Sequence, residues 1–143
     1  MLDVSVRSSF TTLIEIVACE MASGQPIKSH RDLVVWQKAM DLTVELYSVT
    51  KQFPRDELYG LTGQVRRSAA SIAANIAEGQ GRRSAGEFCQ FLAHARGSLL
   101  ELDTHLELAL RVGHLPKKDY DKVKTLIDEV GRLLNGLLRS ITI

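Results

Sequence analysis

The chain has 143 residues, 45% hydrophobic and 24% charged, with 3 Pro and 10 Gly, enough length and apolar content to close one core as a single domain. Lys+Arg 18 against Asp+Glu 17 leaves a net charge of +1, which excludes a histone-like partner for the molecule as a whole and moves the charge question to local patches. Two cysteines, Cys19 and Cys89, without a CxxC pair, fit neither a disulfide scaffold nor a zinc site and point to a reducing cytoplasm.

Residues 1–28 differ in character from the rest, with Ser, Thr and Gly scattered through short apolar pieces. They read as an N-terminal extension, partly disordered or carrying a misassigned start. Phe10 to Cys19 has the look of a signal h-region, and Ile16-Val17-Ala18-Cys19 that of a lipoprotein cleavage box. Glu15 and Asp3 count against both, because secretion signals take a basic start and an uninterrupted apolar run. Met21 offers an alternative start, which makes the first 20 residues an annotation artefact or a loosely attached extension. No stretch approaches the roughly 20 apolar residues of a membrane span, so no membrane role is expected.

Residues 29–143 read as an all-α domain of four periodic segments. The first places Val35, Ala39, Leu42, Leu46, Val49 and Phe53 at alternating spacings of four and three, behind a Ser29-x-x-Asp32 pattern similar to a capping box, and Pro54 stops it. The second starts near Asp56 and carries Leu58, Leu61, Val65, Ala69, Ile72 and Ile76 up to Gly79-Gln80-Gly81. The third opens with a capping box, Ser84 to Glu87, carries Phe88, Leu92, Ala95, Leu99, Leu102, Leu106 and Leu110, and ends at Gly113. Pro116 suits the first turn of the fourth, which repeats through Tyr120, Val123, Ile127, Val130, Leu134, Leu137 and Ile141. Segments of roughly 24 to 29 residues with short connections predict an antiparallel up-down-up-down four-helix bundle.

The second helix is the most informative. One face is the apolar seam, a second is the small-residue run Ala70, Ala73, Ala74 and Ala77, and a third is polar: Gln64, Arg67, Ser71, Asn75, Glu78 and Arg82. A solvated face explains the third blandly, yet Ser and Asn are poorer helix formers than Lys and Glu. Burial of Ser71, Asn75 and Glu78 at an oligomer interface is the alternative. Leu100 and Leu108 project away from the third seam, and Leu126 and Leu133 widen the fourth. A lone bundle buries one stripe per helix, so the excess predicts a homo-oligomer.

The search for chemistry returns no catalytic, cofactor or metal site. Glu101 precedes His105 by four rather than three and no second such pair occurs, while His94 and His105 sit about 16 Å apart along one helix, too far to share a metal. Gly79-Gln80-Gly81-Arg82-Arg83-Ser84 is a distant echo of a phosphate loop that follows a helix rather than a strand. Its charge is distinctive: Arg66, Arg67, Arg82 and Arg83 against Glu78 give residues 64–83 a local +3. Arginine without lysine favours bidentate contacts to carboxylate or phosphate.

The runs His30-Arg31-Asp32-Leu33-Val34-Val35-Trp36-Gln37-Lys38-Ala39, Tyr59-Gly60-Leu61, Gln64-Val65-Arg66-Arg67, Ser71-Ile72-Ala73-Ala74-Asn75-Ile76-Ala77-Glu78-Gly79, Phe91-Leu92 and Ala95-Arg96-Gly97-Ser98 closely resemble the bacterial four helix bundle proteins. These are also called 23S rRNA intervening-sequence proteins, because some members are encoded within insertions of large-subunit ribosomal RNA genes. The resemblance spans about residues 28–140. It implies a small bundle assembled as a ring-like homopentamer, similar to the accessory protein of diversity-generating retroelements, a basic pentameric barrel that binds nucleic acid and reverse transcriptase. No enzymatic activity is attached to the family. Where the family has Ile-Pro-x-Asn this chain has Ile72-Ala73-Ala74-Asn75, which removes a proline kink and predicts a straighter second helix. The retroelement relative is strongly basic and this chain is near neutral, which counts against nucleic-acid binding.

Two non-enzymatic readings follow. In one, an oligomer contacts RNA or DNA phosphates through Arg66, Arg67, Arg82 and Arg83. In the other, the protein is an interaction scaffold whose arginines pair with Glu78, Glu101 or other carboxylates within and between bundles.

Overall fold

The structure, a computed structural model, describes residues 27–141. Of the extension, Ile27 and Lys28 fall within that range, and Ile27 rests against the core. The Met21 start and the signal-like stretch lie outside the described residues.

The Ser29-to-Asp32 box forms, but it caps a single 3-10 turn, His30–Asp32. Asp32 accepts hydrogen bonds from the Lys28 and Ser29 amides at 2.8 and 3.2 Å, which holds its carboxyl below the ordinary carboxylate range. Leu33 follows in extended conformation with its side chain driven into the core, so helix α1 begins one step later, Val34–Val49. A 3-10 turn, Thr50–Gln52, continues it, and the Thr50 hydroxyl donates back to the Leu46 carbonyl at 2.7 Å. Phe53 lies beyond the helix yet is buried.

Helix α2 spans Leu61–Gln80 rather than starting near Asp56. Pro54 fixes an extended entry and Arg55–Glu57 makes a separate 3-10 turn. The Glu57 carboxylate then accepts from the Leu61 amide at 3.2 Å, satisfying one of the orphan donors of the first turn. Leu58, expected in the apolar seam, therefore precedes the helix and is exposed. Helix α3, Ala85–Arg111, starts where Ser84 Oγ accepts from the Glu87 amide at 3.2 Å. Its end turns at Gly113 with φ +86°, a left-handed conformation that costs glycine least. Helix α4 spans Lys117–Ile141. The four helices have 16, 20, 27 and 25 residues, so α1 and α2 are shorter than their hydrophobic periodicity suggests.

Sequential helices are neighbours and α1 closes on α4, leaving α1–α3 and α2–α4 as diagonals. With short connections this is an antiparallel four-helix bundle, and the described residues contain no strand. No helix among them is long and apolar enough to cross a membrane. The core follows the expected seams: Leu42, Leu46, Val65, Ile72, Ile76, Leu92, Leu102 and Leu134 are fully buried. Two departures concern width. Ala109 is buried in place of Leu110, and Leu126 and Leu133 pack partly against the core, so α4 hides most of its extra apolar surface within the bundle.

Helices α2 and α3 approach closely at the end of α2. A Cβ on Gly79 would stand 2.7 Å from Phe91 Cβ and 2.9 Å from Phe88 Cδ2. Only glycine fits this crossing.

Candidate functional site

The polar stripe of α2 divides when placed in three dimensions. Ser71 and Asn75 are half-buried on the edge facing α3, where the Ser71 and Ser98 hydroxyls lie 2.9 Å apart. The Asn75 amide donates to the Ser71 carbonyl at 2.8 Å and to its hydroxyl at 3.1 Å. Gln64, Arg67, Glu78 and Arg82 stay exposed. The serine thus finds a partner across the α2–α3 seam in Ser98, and the asparagine finds its partners one turn back on α2 in Ser71.

The four arginines are not brought to one patch. Arg66 and Arg67 sit near the start of α2 and Arg82 and Arg83 just past its end, about 24 Å away along the axis at 1.5 Å per residue. Arg66 reaches back over α1: its Nε donates to Thr50 Oγ1 at 3.0 Å, and its guanidinium lies 4.5 Å from the centre of the Tyr47 ring. Arg67 lies against Gly63, where a Cβ would meet its Nη1 at 3.0 Å. Arg82 folds over Phe91 at 4.7 Å and pairs loosely with Glu78 at 3.9 Å. Arg83 is exposed. Glu101 pairs with His105 at 3.3 Å rather than with an arginine.

Exposed apolar side chains lie on two helices. On α3, Leu100 is 63% exposed on the side bordering α4, whereas Leu108, 49% exposed, lies with Val112 just past the helix end on the side bordering the start of α2. On α1, Met40, Val44 and Tyr47 keep spacings of four and three, with Val44 67% exposed. The α1 stripe was legible in the sequence from that spacing, on the flank opposite the core seam, but it is absent from the expected interface. Because α1 and α3 are diagonal, the two sets lie on opposite sides of the bundle.

Three further features belong to the map. The groove between α3 and α4 carries Arg96, Arg132 and Arg139, cations that sequence reading leaves scattered and antiparallel packing gathers. Deeper in it, Lys124 pairs with Asp103 at 2.7 Å, which raises the lysine above its ordinary value. Cys89 is a free, half-buried thiol pushed up by burial, the opposite of an activated thiolate.

A family model for the 23S rRNA-intervening sequence protein matches residues 31–136, from the first 3-10 turn through most of α4. The chain belongs to this family. A solved structure from the S23 ribosomal protein family, a protein with unknown function from Bacteroides thetaiotaomicron VPI-5482, is similar at 25% identity with a TM-score of 0.69; the match covers 74% of this chain and 96% of that one. No curated protein matches. The family match takes in both arginine pairs, the Ser71–Ser98 seam and the exposed apolar side chains of α1 and α3, so all of them belong to the family domain rather than to the N-terminal extension.

Proposed function

We propose that the protein is a non-enzymatic, self-associating bundle whose ring-like homo-oligomer presents arginines to nucleic acid in the cytoplasm. The observation that carries the assembly is the exposed apolar side chains on the diagonal helices α1 and α3, Val44 and Leu100 above all, with Tyr47 partly covered by Arg66. Were each of the two faces to meet its own copy, the two-fold contacts would give an even-numbered assembly rather than a five-membered ring. Contact of the α1 face with the α3 face of the next copy is heterologous, and heterologous contacts form a ring when the rotation between neighbours closes and an open filament when it does not. Each side chain fully removed from water contributes about 1.5–3 kcal/mol, and half that when it starts half-covered.

The interface is assigned to Leu100 and Leu108 with their α1 counterparts, because Ser71 and Asn75 already have partners within the chain. The subunit number of five and the lack of enzymatic activity rest on the family resemblance. In a ring, Arg66 with Arg67 and Arg82 with Arg83 form two belts about 24 Å apart, which multiplies weak phosphate contacts by the number of subunits.

A second reading, an interaction scaffold without nucleic-acid binding, is favoured by the occupation of Arg66 and Arg82 on Tyr47 and Phe91. Light scattering and salt titration test both. The assembly requires a mass that is a multiple of 15.9 kDa, fivefold for the pentamer, and a monomer refutes it. Nucleic-acid binding requires RNA or DNA affinity that falls steeply with salt and weakens in Arg67→Gln/Arg83→Gln; an oligomer with no such affinity is the scaffold.

A further inference from the structure

We infer that the chain holds a second, unassigned site: a pocket for a phosphate monoester of nucleotide size, built where the end of α1 meets the start of α2. The inference goes beyond the assembly reading, although it shares Arg66 with the proposed phosphate belt and Tyr47 with the α1 stripe, and its test reads ligand binding rather than oligomeric mass. The cavity has a volume of about 570 Å³ and is lined by Lys51, Arg55 and Arg66, by Thr62, and by the apolar walls of Phe53 and Leu58. Three cations face one space, no carboxylate lines it, and none of the three has a salt-bridge partner among the described residues. The nearest acids in sequence are accounted for or turned away: Glu57 caps α2 through the Leu61 amide, and Asp56 is not part of the lining.

Two details distinguish the pocket from a chance basic hollow. Arg66 is held in advance, its Nε on Thr50 Oγ1 at 3.0 Å and its plane over Tyr47 at 4.5 Å. Thr50 is itself buried and locked onto the Leu46 carbonyl at 2.7 Å. A guanidinium fixed this way loses little further entropy when its free N–H groups take an oxyanion. Thr62 is the second detail. It is only 4% exposed, lines the cavity, and its hydroxyl has no hydrogen-bond partner among the described residues. No fully covered side-chain oxygen or nitrogen among those residues lacks a partner, so the Thr62 oxygen keeps a small exposed area on a residue that lines the cavity. Placed in the first turn of α2, it lies where the helix dipole favours an anion.

Charge and shape together select the ligand class. Three cations and a hydroxyl donor match the doubly charged, three-oxygen head of a phosphate monoester. The volume exceeds what bare phosphate fills and lies in the range of small-molecule sites, and Phe53 and Leu58 offer contact to an organic group. A free mononucleotide and the 5′-phosphorylated end of a nucleic-acid strand share this chemistry.

The test uses the full chain at low salt, titrated calorimetrically with AMP, adenosine and inorganic phosphate, then with a short RNA bearing either a 5′-phosphate or a 5′-hydroxyl. Saturable AMP binding is expected, with adenosine silent and phosphate weaker. Thr62→Val and Arg55→Ala, which leave the Arg66 anchor in place, should each weaken AMP about tenfold, the loss of one hydrogen bond to a charged group. Competition by the 5′-phosphate RNA but not its 5′-hydroxyl twin identifies a strand end as the source; AMP binding without that competition identifies a free nucleotide. Absence of saturable AMP binding, or AMP affinity unchanged in both variants, overturns the site.

Discussion

Helix α1 has two flanks that are finished in opposite ways. Toward α4 it carries Lys38 and Glu45, paired with Glu129 at 3.4 Å and Lys122 at 2.9 Å. Outward it carries Met40, Val44 and Tyr47, with Val44 67% exposed. Both flanks border the same apolar core, but only the α4 side is rimmed by part-exposed ion pairs, while the outward flank leaves apolar side chains in water. The chain can supply charged residues, since it uses them along the α4 side, so the bare flank reads as a surface awaiting a partner. The α2–α3 seam shows a third finish: small residues and hydroxyls that admit close approach, Gly79 against Phe91 and Ser71 against Ser98.

Substitutions can break or sharpen this contrast, beginning with the core that all the seams share. Leu102→Asp or Ile72→Asp should unfold the chain. Either replaces a fully buried side chain, losing about 2–5 kcal/mol of packing and burying an unpaired charge at several kcal/mol more, against a total stability of about 5–15 kcal/mol. Circular dichroism would show the helix signal lost; a folded, helical Leu102→Asp protein would show that the seam is assigned to the wrong face.

Gly79→Ala probes the close seam. Overpacking costs about 1–3 kcal/mol, more than the gain from replacing a glycine in the last turn, which is at most the roughly 0.5–1 kcal/mol of a mid-helix position, because the obstructing atom is Phe91 Cβ, whose relief requires the α3 backbone to move. The melting temperature should fall by several degrees. A rise would mean that α2 and α3 separate easily at this end.

Lys38→Ala probes the charged seam and should change stability by less than about 1 kcal/mol, since both partners of the Lys38–Glu129 pair are part-exposed. A larger loss would make the ion pairs a true fastener of α1 to α4. Smallest is the acid response of the first turn. Asp32 is held below its ordinary pKa by the Lys28 and Ser29 amides. Its contribution is present above the unfolded carboxylate value near 3.8 and is lost as pH falls through the lower folded value. Asp32→Asn should therefore lose a small stability at neutral pH and converge on the parent at the acid end, which flattens the acid limb of the stability profile.

Much of this was legible in the residues. Ser84, Gly113 and Pro116 punctuate α3 and α4, and the heptads name most of the core, because apolar periodicity reports burial whatever the neighbours are. The boundaries of α1 and α2 were less so. Ser29 to Asp32 has the spacing of a helix cap, and nothing local says that Leu33 will turn inward and delay the helix. Leu58 keeps the periodicity of α2 from a turn that Pro54 and Glu57 hold apart. The candidate sites depend on contacts distant in sequence. Arg66 meets Thr50 sixteen positions away, and the exposure of Thr62 to a cavity follows from how the connection folds back. Arg96, Arg132 and Arg139 share a groove only once α3 and α4 run antiparallel.

The proposed two-faced assembly has one decisive measurement: Val44→Glu and Leu100→Glu proteins, each spoiling one face, are weighed by light scattering alone and mixed in equal amounts. Each alone should be a folded monomer of 15.9 kDa. Mixed, the intact α1 face of one meets the intact α3 face of the other, and the mass should double and stop there, since neither outer face can add a third copy. Retention of the parent oligomer by either variant alone, or a mixture that stays monomeric, would contradict contact between the α1 and α3 faces.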